Sequence, residues 1–309
     1  MESAPPGWGR CVVTIGVFDG VHRGHQLIIG RAVDQARALG VPSVVLTFDP
    51  HPSEVVRPGS HPSMLTGPHA KAELLEALGV DVLCVLPFTA AFSRLAPEEF
   101  VHAVLVEHLH ARSVVVGENF RYGHKAVGDV AALSASGRRF GFSVEGVALE
   151  GADDTTWSST YVRSCVDAGD VEGAAAALGR DHRVDGVVVR GDQRGREIGY
   201  PTANLEPLPW SAVPADGVYA GRLLRAGGVR LPAAISIGTN PTFAGREQRV
   251  EAYVLDAEPG LDLYGEHLAL SFAVRLRATL RFDGVEPLVA QMSRDVARTR
   301  ELLADPPSA

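Results

Sequence analysis

In the first half of the chain, short runs of apolar, β-branched residues alternate with amphipathic stretches, and this alternation restricts the fold more than any other feature. The runs cover residues 10–18, 41–48, 80–88 and 111–117. Their unbroken apolar character is typical of parallel strands that are buried on both faces. Over 25–39 apolar residues recur at helical spacing, and Gly40 is placed to end that helix. The order strand, helix, strand predicts an open, doubly wound α/β sheet.

After about residue 180 the pattern changes to short strands without helices between them. Apolar runs separated by Gly, Pro and Asp continue to residue 277, and a helical stretch covers about 285–304. This pattern predicts a small antiparallel barrel or sandwich closed by a C-terminal helix. A chain of 309 residues can form two domains. We place them at 1–180 and 181–309.

Charge and cysteine content exclude several classes of protein. The formal net charge of -8 gives no general attraction to nucleic acid or to an anionic membrane surface, so any bound phosphate needs a local site. Cys11, Cys84 and Cys165 are widely spaced, which predicts neither a disulfide framework nor a zinc site. The sequence shows no signal peptide and no apolar run of membrane length, so we expect a cytoplasmic protein. The oligomeric state, a homo-oligomer included, is left open.

The turn after the first predicted strand carries the strongest chemical signal. In "TIGVFDGVHRGHQ", residues 14–26, glycines and two histidines lie between a buried strand and a helix. Such a helix start aims free backbone N–H groups at an anion, and His22 and His25 add side-chain donors. Imidazoles can stabilise charge that develops on a phosphate as a bond to it breaks. The structural alternative is a glycine turn with two solvated histidines.

Further blocks follow this turn along nearly the whole chain. They are "FDPHP" at 48, "GENFRYG" at 117, "SSTYVR" at 158, "VVVRGDQRGREIGYPTANLE" at 187, "PADGVYAG" at 214, "ISIGTNPTF" at 235 and "DLYG" at 262. The opening turn resembles the nucleotidyltransferase signature with its His-x-Gly-His core. In this order the blocks resemble the bifunctional riboflavin kinase/FMN adenylyltransferase family, the prokaryotic FAD synthetases.

The resemblance implies two reactions on one chain. A C-terminal barrel domain would phosphorylate riboflavin with ATP to FMN and ADP. An N-terminal, Rossmann-like nucleotidyltransferase domain would then convert FMN and a second ATP to FAD and pyrophosphate. The expected ligands are therefore riboflavin, FMN and ATP, with Mg²⁺ accompanying ATP.

For the adenylylation reaction, the resemblance assigns His22 and His25 to the ATP phosphates and to the departing pyrophosphate. Residues implied in nucleotide or phosphate binding are Gly16, Phe18, Asp19, Gly24, Asn119, Ser159, Thr160 and Arg163. Those implied in the flavin pocket are Phe48, Asp49 and His51. Structural alternatives stay open: a plain N-cap at Ser159 or Thr160, a solvated charge at Arg163, a turn residue at Asn119, and a strand end with a proline turn at "FDPHP".

For the kinase reaction, Thr202 and Asn204 are two residues apart in an extended segment, so both side chains can face one ligand. Two neutral oxygens form a weak metal site alone, but Mg²⁺ keeps waters and completes its shell with nucleotide phosphates. The resemblance assigns this pair to Mg-ATP, and a flap over the phosphates to residues 190–199. The flap residues implied are Arg190, Gly191, Arg194 and Gly195. A solvated turn is the alternative for the flap.

A hydroxyl that accepts a phosphoryl group needs a base within reach. Glu251 alternates with Val250 and Ala252 on a predicted strand, so its carboxylate faces the opposite side from theirs. The resemblance makes Glu251 the catalytic base, and an exposed strand glutamate is the alternative. Arg277 contacts a nucleotide or flavin, or is a surface charge.

One departure from the family pattern concerns the residues before "SSTYVR". Family members carry a basic residue two positions before that block, where this chain has Thr156. A riboflavin kinase with weak or lost adenylyltransferase activity is therefore an alternative function. A flavin-binding regulator without catalysis is a second alternative, against which the catalytic residues in both halves argue. Chromatography of the flavin products separates these functions.

Overall fold

The computed structural model describes residues 9–148, 157–191, 195, 198–242, 245–258 and 260–304. The chain divides into two compact units. The first comprises Met1–Pro62 and Pro68–Ser158, and the second comprises Ser63–Gly67 and Ser159–Ala309. Within the described ranges, no helix has the length and apolar character needed to cross a membrane.

The first unit is a sheet flanked by helices. Its strands are β1 (Cys11–Ile15), β2 (Ser43–Asp49), β3 (Val82–Pro87), β4 (Ala111–Gly117) and β5 (Ser143–Val147). Its helices are α1 (Arg23–Leu39), α2 (Pro52–Val56), α3 (Pro68–Ala77), α4 (Pro97–Phe100), which continues as a π-helix over Val101–His108, and α5 (Val130–Phe140). Single 3-10 turns lie at Phe92–Arg94 and His124–Ala126.

The strands of this unit pair in parallel in the order β3-β2-β1-β4-β5, which confirms the predicted doubly wound sheet. Ile28 of α1 packs with Val12 on one face, whereas Leu105 and Leu133 belong to the core on the other. The chain leaves β1 toward β2 on one side and returns to β4 on the other. The crevice beyond the carboxyl ends of β1 and β4 is thus the topological switch point, where such sheets bind ligands.

Helix α1 explains why the opening turn is well ordered. His22 is its N-cap, and Gly40, in the left-handed conformation with φ 64°, ends it by donating to the carbonyls of Ala36 and Arg37. Its buried residues recur at helical spacing, as the sequence predicts, and are Gly24, Ile28, Ile29, Ala32, Val33 and Ala36. Because this stripe fixes the helix on the sheet, the N-terminus of α1 has a fixed position beyond β1.

The second unit is a barrel with helices. Its strands are β6 (His182–Val189), β7 (Ala203–Pro207), β8 (Gly217–Leu224), β9 (Arg230–Thr242), β10 (Gly245–Val254) and β11 (His267–Arg277). Its helices are α6 (Ser159–Ala168), α7 (Val171–Leu178) and α8 (Val285–Leu303), with a 3-10 turn at Ala226–Gly228. The six strands close into an antiparallel barrel in the order β10-β7-β6-β11-β8-β9. Tyr219 and Phe272 are the largest fully buried side chains in its core.

The segment Ser63–Gly67 belongs to the second unit although it lies in the sequence of the first. The Met64 N–H donates to the Trp210 carbonyl at 2.6 Å, and the Ala212 N–H donates to the Met64 carbonyl at 2.8 Å. Arg163 Nε of α6 donates to the Ser63 carbonyl at 2.6 Å. The second unit is therefore completed by a segment from much earlier in the chain.

Candidate active sites

The turn between β1 and α1 is shaped by close contacts between glycines and rings. A Cβ on Gly16 would lie 3.0 Å from the Phe18 ring, and one on Gly24 would lie 3.2 Å from His22 Cε1. Phe18 and Asp19 are buried, and Phe18 has a positive φ of 50°. Glycine is thus needed at 16 and 24 because the rings of this turn fold back over the backbone.

The two histidines of the turn form a stacked pair. Their ring centroids are 3.6 Å apart, and the His25 N–H donates to His22 Nδ1 at 3.4 Å. The edge of the Phe18 ring packs against His25 at 5.2 Å. His25 Nδ1 is buried and has no hydrogen-bond partner among the described residues. The structure therefore brings together the two imidazoles that the sequence predicts to act as one group.

The charge of His25 is set by its surroundings. Burial lowers the pKa of His25 well below its usual 6.5, and the positive charges of His22 and Lys71 lower it further. Without substrate His25 is therefore neutral at physiological pH and offers one N–H donor. The arrival of phosphate charge favours the protonated form.

The end of β2 lies beside this turn in the sheet. Phe48 belongs to a series of aromatic rings, with its centroid 5.5 Å from that of Phe88 and 6.0 Å from that of Phe92. Asp49 is exposed, and His51 caps α2 by accepting from the Ser53 N–H at 3.2 Å. "FDPHP" thus combines a strand end and a helix start with an aromatic wall. Phe88 and Phe92 extend that wall and are not identified from the sequence.

The turn after β4 occupies the other side of the switch point. Asn119 is exposed there, and the following rings of Phe120 and Tyr122 are stacked with centroids 5.5 Å apart. Tyr122 contacts Phe100, and Phe100 contacts Phe92, so these rings continue the series that begins at Phe48. The crevice edge therefore carries both a polar turn and an aromatic cluster.

The block "SSTYVR" starts a helix of the second unit. Ser159 and Thr160 form the first turn of α6, and Arg163 lies one turn later, bonded to the Ser63 carbonyl as described above. Just before it, Trp157 of the first unit contacts α1: Arg23 lies 5.4 Å from its ring centroid, and its carbonyl approaches Gly24. Thr156 lies outside the described residues.

The barrel brings the predicted kinase residues together across two strands. Glu251 of β10 pairs with Asn204 of β7, and Thr202 Oγ1 donates to Glu251 Oε2 at 3.4 Å. Val250 and Ala252 are buried while Glu251 is partly exposed, as the predicted alternation requires. A Cβ on Gly191 would lie 2.5 Å from the Asn204 side chain, so only glycine permits this approach. Carboxylate, hydroxyl and amide thus form one cluster.

Two further arginines have partners in the second unit. Arg190 lies 5.5 Å from the ring centroid of Tyr264. Arg277 Nη2 donates to Asp295 Oδ2 of α8 at 2.7 Å, and Arg277 Nε lies within 3.2 Å of both carboxylate oxygens. The Gly195 carbonyl accepts from the Tyr200 N–H at 2.8 Å, whereas Arg194 lies outside the described residues. Arg277 therefore joins the barrel to α8.

Sequence reasoning missed Lys71 in the first unit. This lysine of α3 is 7% exposed, and its Nζ donates to the Val17 carbonyl at 2.9 Å. Its position four residues before the buried Leu75 places it on the apolar face of the helix, which is the signal that could have found it.

Two separate sites with donors for phosphate groups define an enzyme that carries out two nucleotide-dependent transfer reactions. Two family models match the chain, one described as FAD synthetase over residues 5–161 and one described as riboflavin kinase over 178–303. The chain belongs to the family of bifunctional riboflavin kinase/FMN adenylyltransferases.

Relatives with that description align over nearly their full length. The Listeria monocytogenes protein is 39% identical over 95% of this chain and 92% of its own. The Escherichia coli K12 protein is 36% identical over 94% of this chain and 92% of its own. A solved Streptococcus pneumoniae structure, described as a macrolide-efflux protein, has a TM-score of 0.87 and 33% identity, covering 97% of this chain and 96% of that one. That last likeness concerns the fold.

Proposed function

We propose that the two reactions of this bifunctional enzyme are divided between the two clusters described above. The enzyme phosphorylates riboflavin with ATP to FMN and adenylylates FMN with a second ATP to FAD and pyrophosphate. The observation that carries the division is that the hydroxyl–carboxylate cluster lies in the barrel and the histidine pair lies in the α/β unit. We assign phosphorylation to residues 181–309 and adenylylation to residues 1–180.

In the kinase reaction Glu251 is the catalytic base. It accepts the proton of the riboflavin hydroxyl while the hydroxyl oxygen attacks the γ-phosphorus of ATP and ADP leaves. Its contact with Thr202 and its pairing with Asn204 support this role, since they hold the carboxylate beside the groups assigned to the nucleotide. Arg190, Gly191, Arg194 and Gly195 cover the phosphates, and guanidinium groups compensate phosphate charge.

The donors in the barrel fit Mg²⁺. Thr202 and Asn204 offer neutral oxygens next to the Glu251 carboxylate, and oxygen ligands of this kind suit a hard cation that retains waters and phosphate oxygens. We assign Thr202 and Asn204 to hold the ion. When bound, it neutralises charge on the phosphates of ATP.

In the adenylylation reaction an FMN phosphate oxygen attacks the α-phosphorus of ATP, and pyrophosphate leaves. His22 and His25 donate to the departing phosphates at the N-terminus of α1, where free backbone N–H groups also favour negative charge. Gly16, Phe18, Asp19 and Gly24 shape that turn, and its close ring contacts support the assignment.

The remaining assignments complete the ligand sites. Asn119 contacts the nucleotide or the FMN phosphate. Ser159, Thr160 and Arg163 bind phosphate, and the match of the FAD synthetase model through residue 161 supports including the first two. The aromatic cluster that begins at Phe48 offers ring faces and edges to the isoalloxazine, with Asp49 and His51 at its polar end. Arg277 supports this site of the barrel through α8 and contacts the flavin or the nucleotide.

Chromatography of the flavins formed from riboflavin and Mg-ATP tests the proposal. We expect FMN to appear first and FAD to follow. Accumulation of FMN alone, also when FMN is supplied directly, would instead support the kinase with weak or lost adenylyltransferase activity. The family relationship favours the bifunctional enzyme over that alternative.

A further inference from the structure

Lys71 is a buried cation at the carboxyl edge of the sheet of the first unit. It is 7% exposed, and none of the motifs discussed above contains it. A buried ammonium is costly unless neighbouring groups compensate its charge. Burial lowers the pKa of Lys71 below its usual 10.5, whereas the carboxylates of Asp19 and Asp49 oppose that shift. The cation is therefore held between two carboxylates, one of which is in the histidine turn.

The one backbone atom that Lys71 contacts lies at the start of that turn. The Val17 carbonyl accepts from Lys71 Nζ at 2.9 Å and from Thr47 Oγ1 at 3.1 Å. The next residue, Phe18, and Val21 both have positive φ, at 50° and 41°. Non-glycine residues adopt this conformation only where surrounding contacts fix it. Two buried side-chain donors to one carbonyl provide such a contact.

The charge of Lys71 also reaches the histidine pair. Lys71 is one of the positive groups that keep His25 neutral, together with His22. The charged and titratable groups that face His25 are thus His22 and Asp19 on its own turn, Lys71 on α3 and Asp49 at the end of β2. Lys71 is the one permanent cation in this set.

We propose that Lys71 is a positioning residue for FMN adenylylation, which fixes the histidine turn through the Val17 carbonyl and sets the electrostatic field around His22 and His25. This inference rests on the proposed role of the two histidines. Because Lys71 acts through the turn, its loss affects turnover of the bound substrates more than their binding.

The test compares Lys71→Met, Lys71→Arg and Thr47→Val in conversion of supplied FMN and Mg-ATP to FAD, with riboflavin phosphorylation measured on each preparation as the folding control. Thr47→Val is the matched control because it removes a donor to the same carbonyl and leaves the charge. For Lys71→Met we expect kcat to fall at least tenfold, with a smaller change in KM, while riboflavin phosphorylation is unchanged. Lys71→Arg should restore most of the turnover.

The pH profile of kcat/KM separates this role from packing, because it reports the groups of the free enzyme. Loss of the cation raises the pKa of His25, so the profile of Lys71→Met should move to higher pH, whereas those of Thr47→Val and Lys71→Arg should not. If Lys71→Met does not fold, Lys71→Gln, which also lacks the charge, should show the same displacement.

Two results would overturn the inference: wild-type kinetics and pH profile in Lys71→Met, or equal losses in Lys71→Met and Thr47→Val without a displaced profile. His22→Asn/His25→Asn, assayed in parallel, separates this failure from failure of the site assignment. If the histidine variant retains FAD turnover, the assignment of the site is wrong. If it loses turnover while Lys71→Met is normal, only the role of Lys71 is wrong.

Discussion

Single side chains in this protein have properties that depend on what lies around them. His25 is a residue type that changes charge near neutral pH, yet burial and two positive neighbours keep it neutral. Glu251, by contrast, is partly exposed and lies beside Thr202. The same residues in other surroundings would have different chemistry, so the assignments lead to separate predictions for each.

The depressed pKa of His25 predicts an acid-sensitive first unit. Below the usual value of 6.5 the unfolded chain takes up a proton that the folded chain does not, so stability falls as the pH falls below that value. His25→Asn cannot titrate and should lose less thermal stability between pH 7 and pH 5 than the wild type does. Thermal unfolding at several pH values measures this difference. Parallel losses in the two proteins would show that His25 does not contribute.

Replacement of Glu251 by Gln should affect one reaction only. Gln keeps the size of the side chain but cannot accept a proton, so FMN formation should fall by about 10²- to 10⁴-fold, as expected for loss of a general base. FAD formation from supplied FMN should be nearly unchanged. Separate assays with riboflavin and with FMN check both statements. Loss of FMN conversion as well would contradict the assignment of the two reactions to different units.

At the scale of helices and strands, the sequence predicts elements with clear periodicity and misses short ones. The run 111–117 coincides with β4, and the helix ended by Gly40 is α1. β5, with the sequence SVEGV, is missed because it pairs only with β4 and mixes glycine and glutamate with valine. β7, which contains Asn, Glu and Pro, is a strand because two barrel neighbours pair with it.

The predictability of the sites follows the same rule. The side of the strand on which Glu251 lies follows from alternation, but its contact with Thr202 depends on which strands are neighbours in the barrel. Likewise, no periodic pattern identifies Asp295 as the partner of Arg277. The partners of Lys71 come from a turn and a strand that lie far from it in sequence. Contacts between distant segments require the tertiary fold.

The ion pair between Arg277 and Asp295 predicts how firmly α8 is attached to the barrel. Its side chains are only 19% and 9% exposed, so Asp295→Asn leaves a largely buried guanidinium without its anion. We expect a loss of about 2–3 kcal/mol in the free energy of unfolding, toward the lower end for a broken buried pair because Arg277 retains some exposure. Urea unfolding measures it.

Glu301→Gln is the control for that measurement because it breaks an ion pair on the same helix, with Arg298, whose side chains are 59% and 65% exposed. An exposed pair contributes little, so this variant should lose less than about 1 kcal/mol. If both variants lost equally little, the Arg277–Asp295 pair would not be a structural link.

At the scale of the whole molecule, one chain carries two units with separate hydrophobic cores. One core lies on the sheet around β1 and β4, and the other fills the barrel. Because each catalytic cluster is built from residues of one unit, damage to one cluster should leave the other reaction intact.

Two inactive variants should therefore complement each other in a mixture. Glu251→Gln should form little FMN from riboflavin, and His22→Asn/His25→Asn should stop at FMN because Asn cannot supply the charge-assisted donor. Mixed together with riboflavin and Mg-ATP, they should form FAD, since FMN released by one is a substrate of the other. Chromatography over time measures FAD in the mixture and in each variant alone. A mixture that accumulates FMN without FAD would contradict this prediction.

The segment Ser63–Gly67 has a consequence for how the protein is made. Chains leave the ribosome N-terminus first, and domains generally fold in that order. Met64 emerges long before Trp210 and Ala212, whose backbone groups it bonds in the finished structure. Its N–H and carbonyl must therefore remain bonded to water while the intervening chain is synthesised. The barrel is completed only when a segment from the already synthesised half is recruited to it.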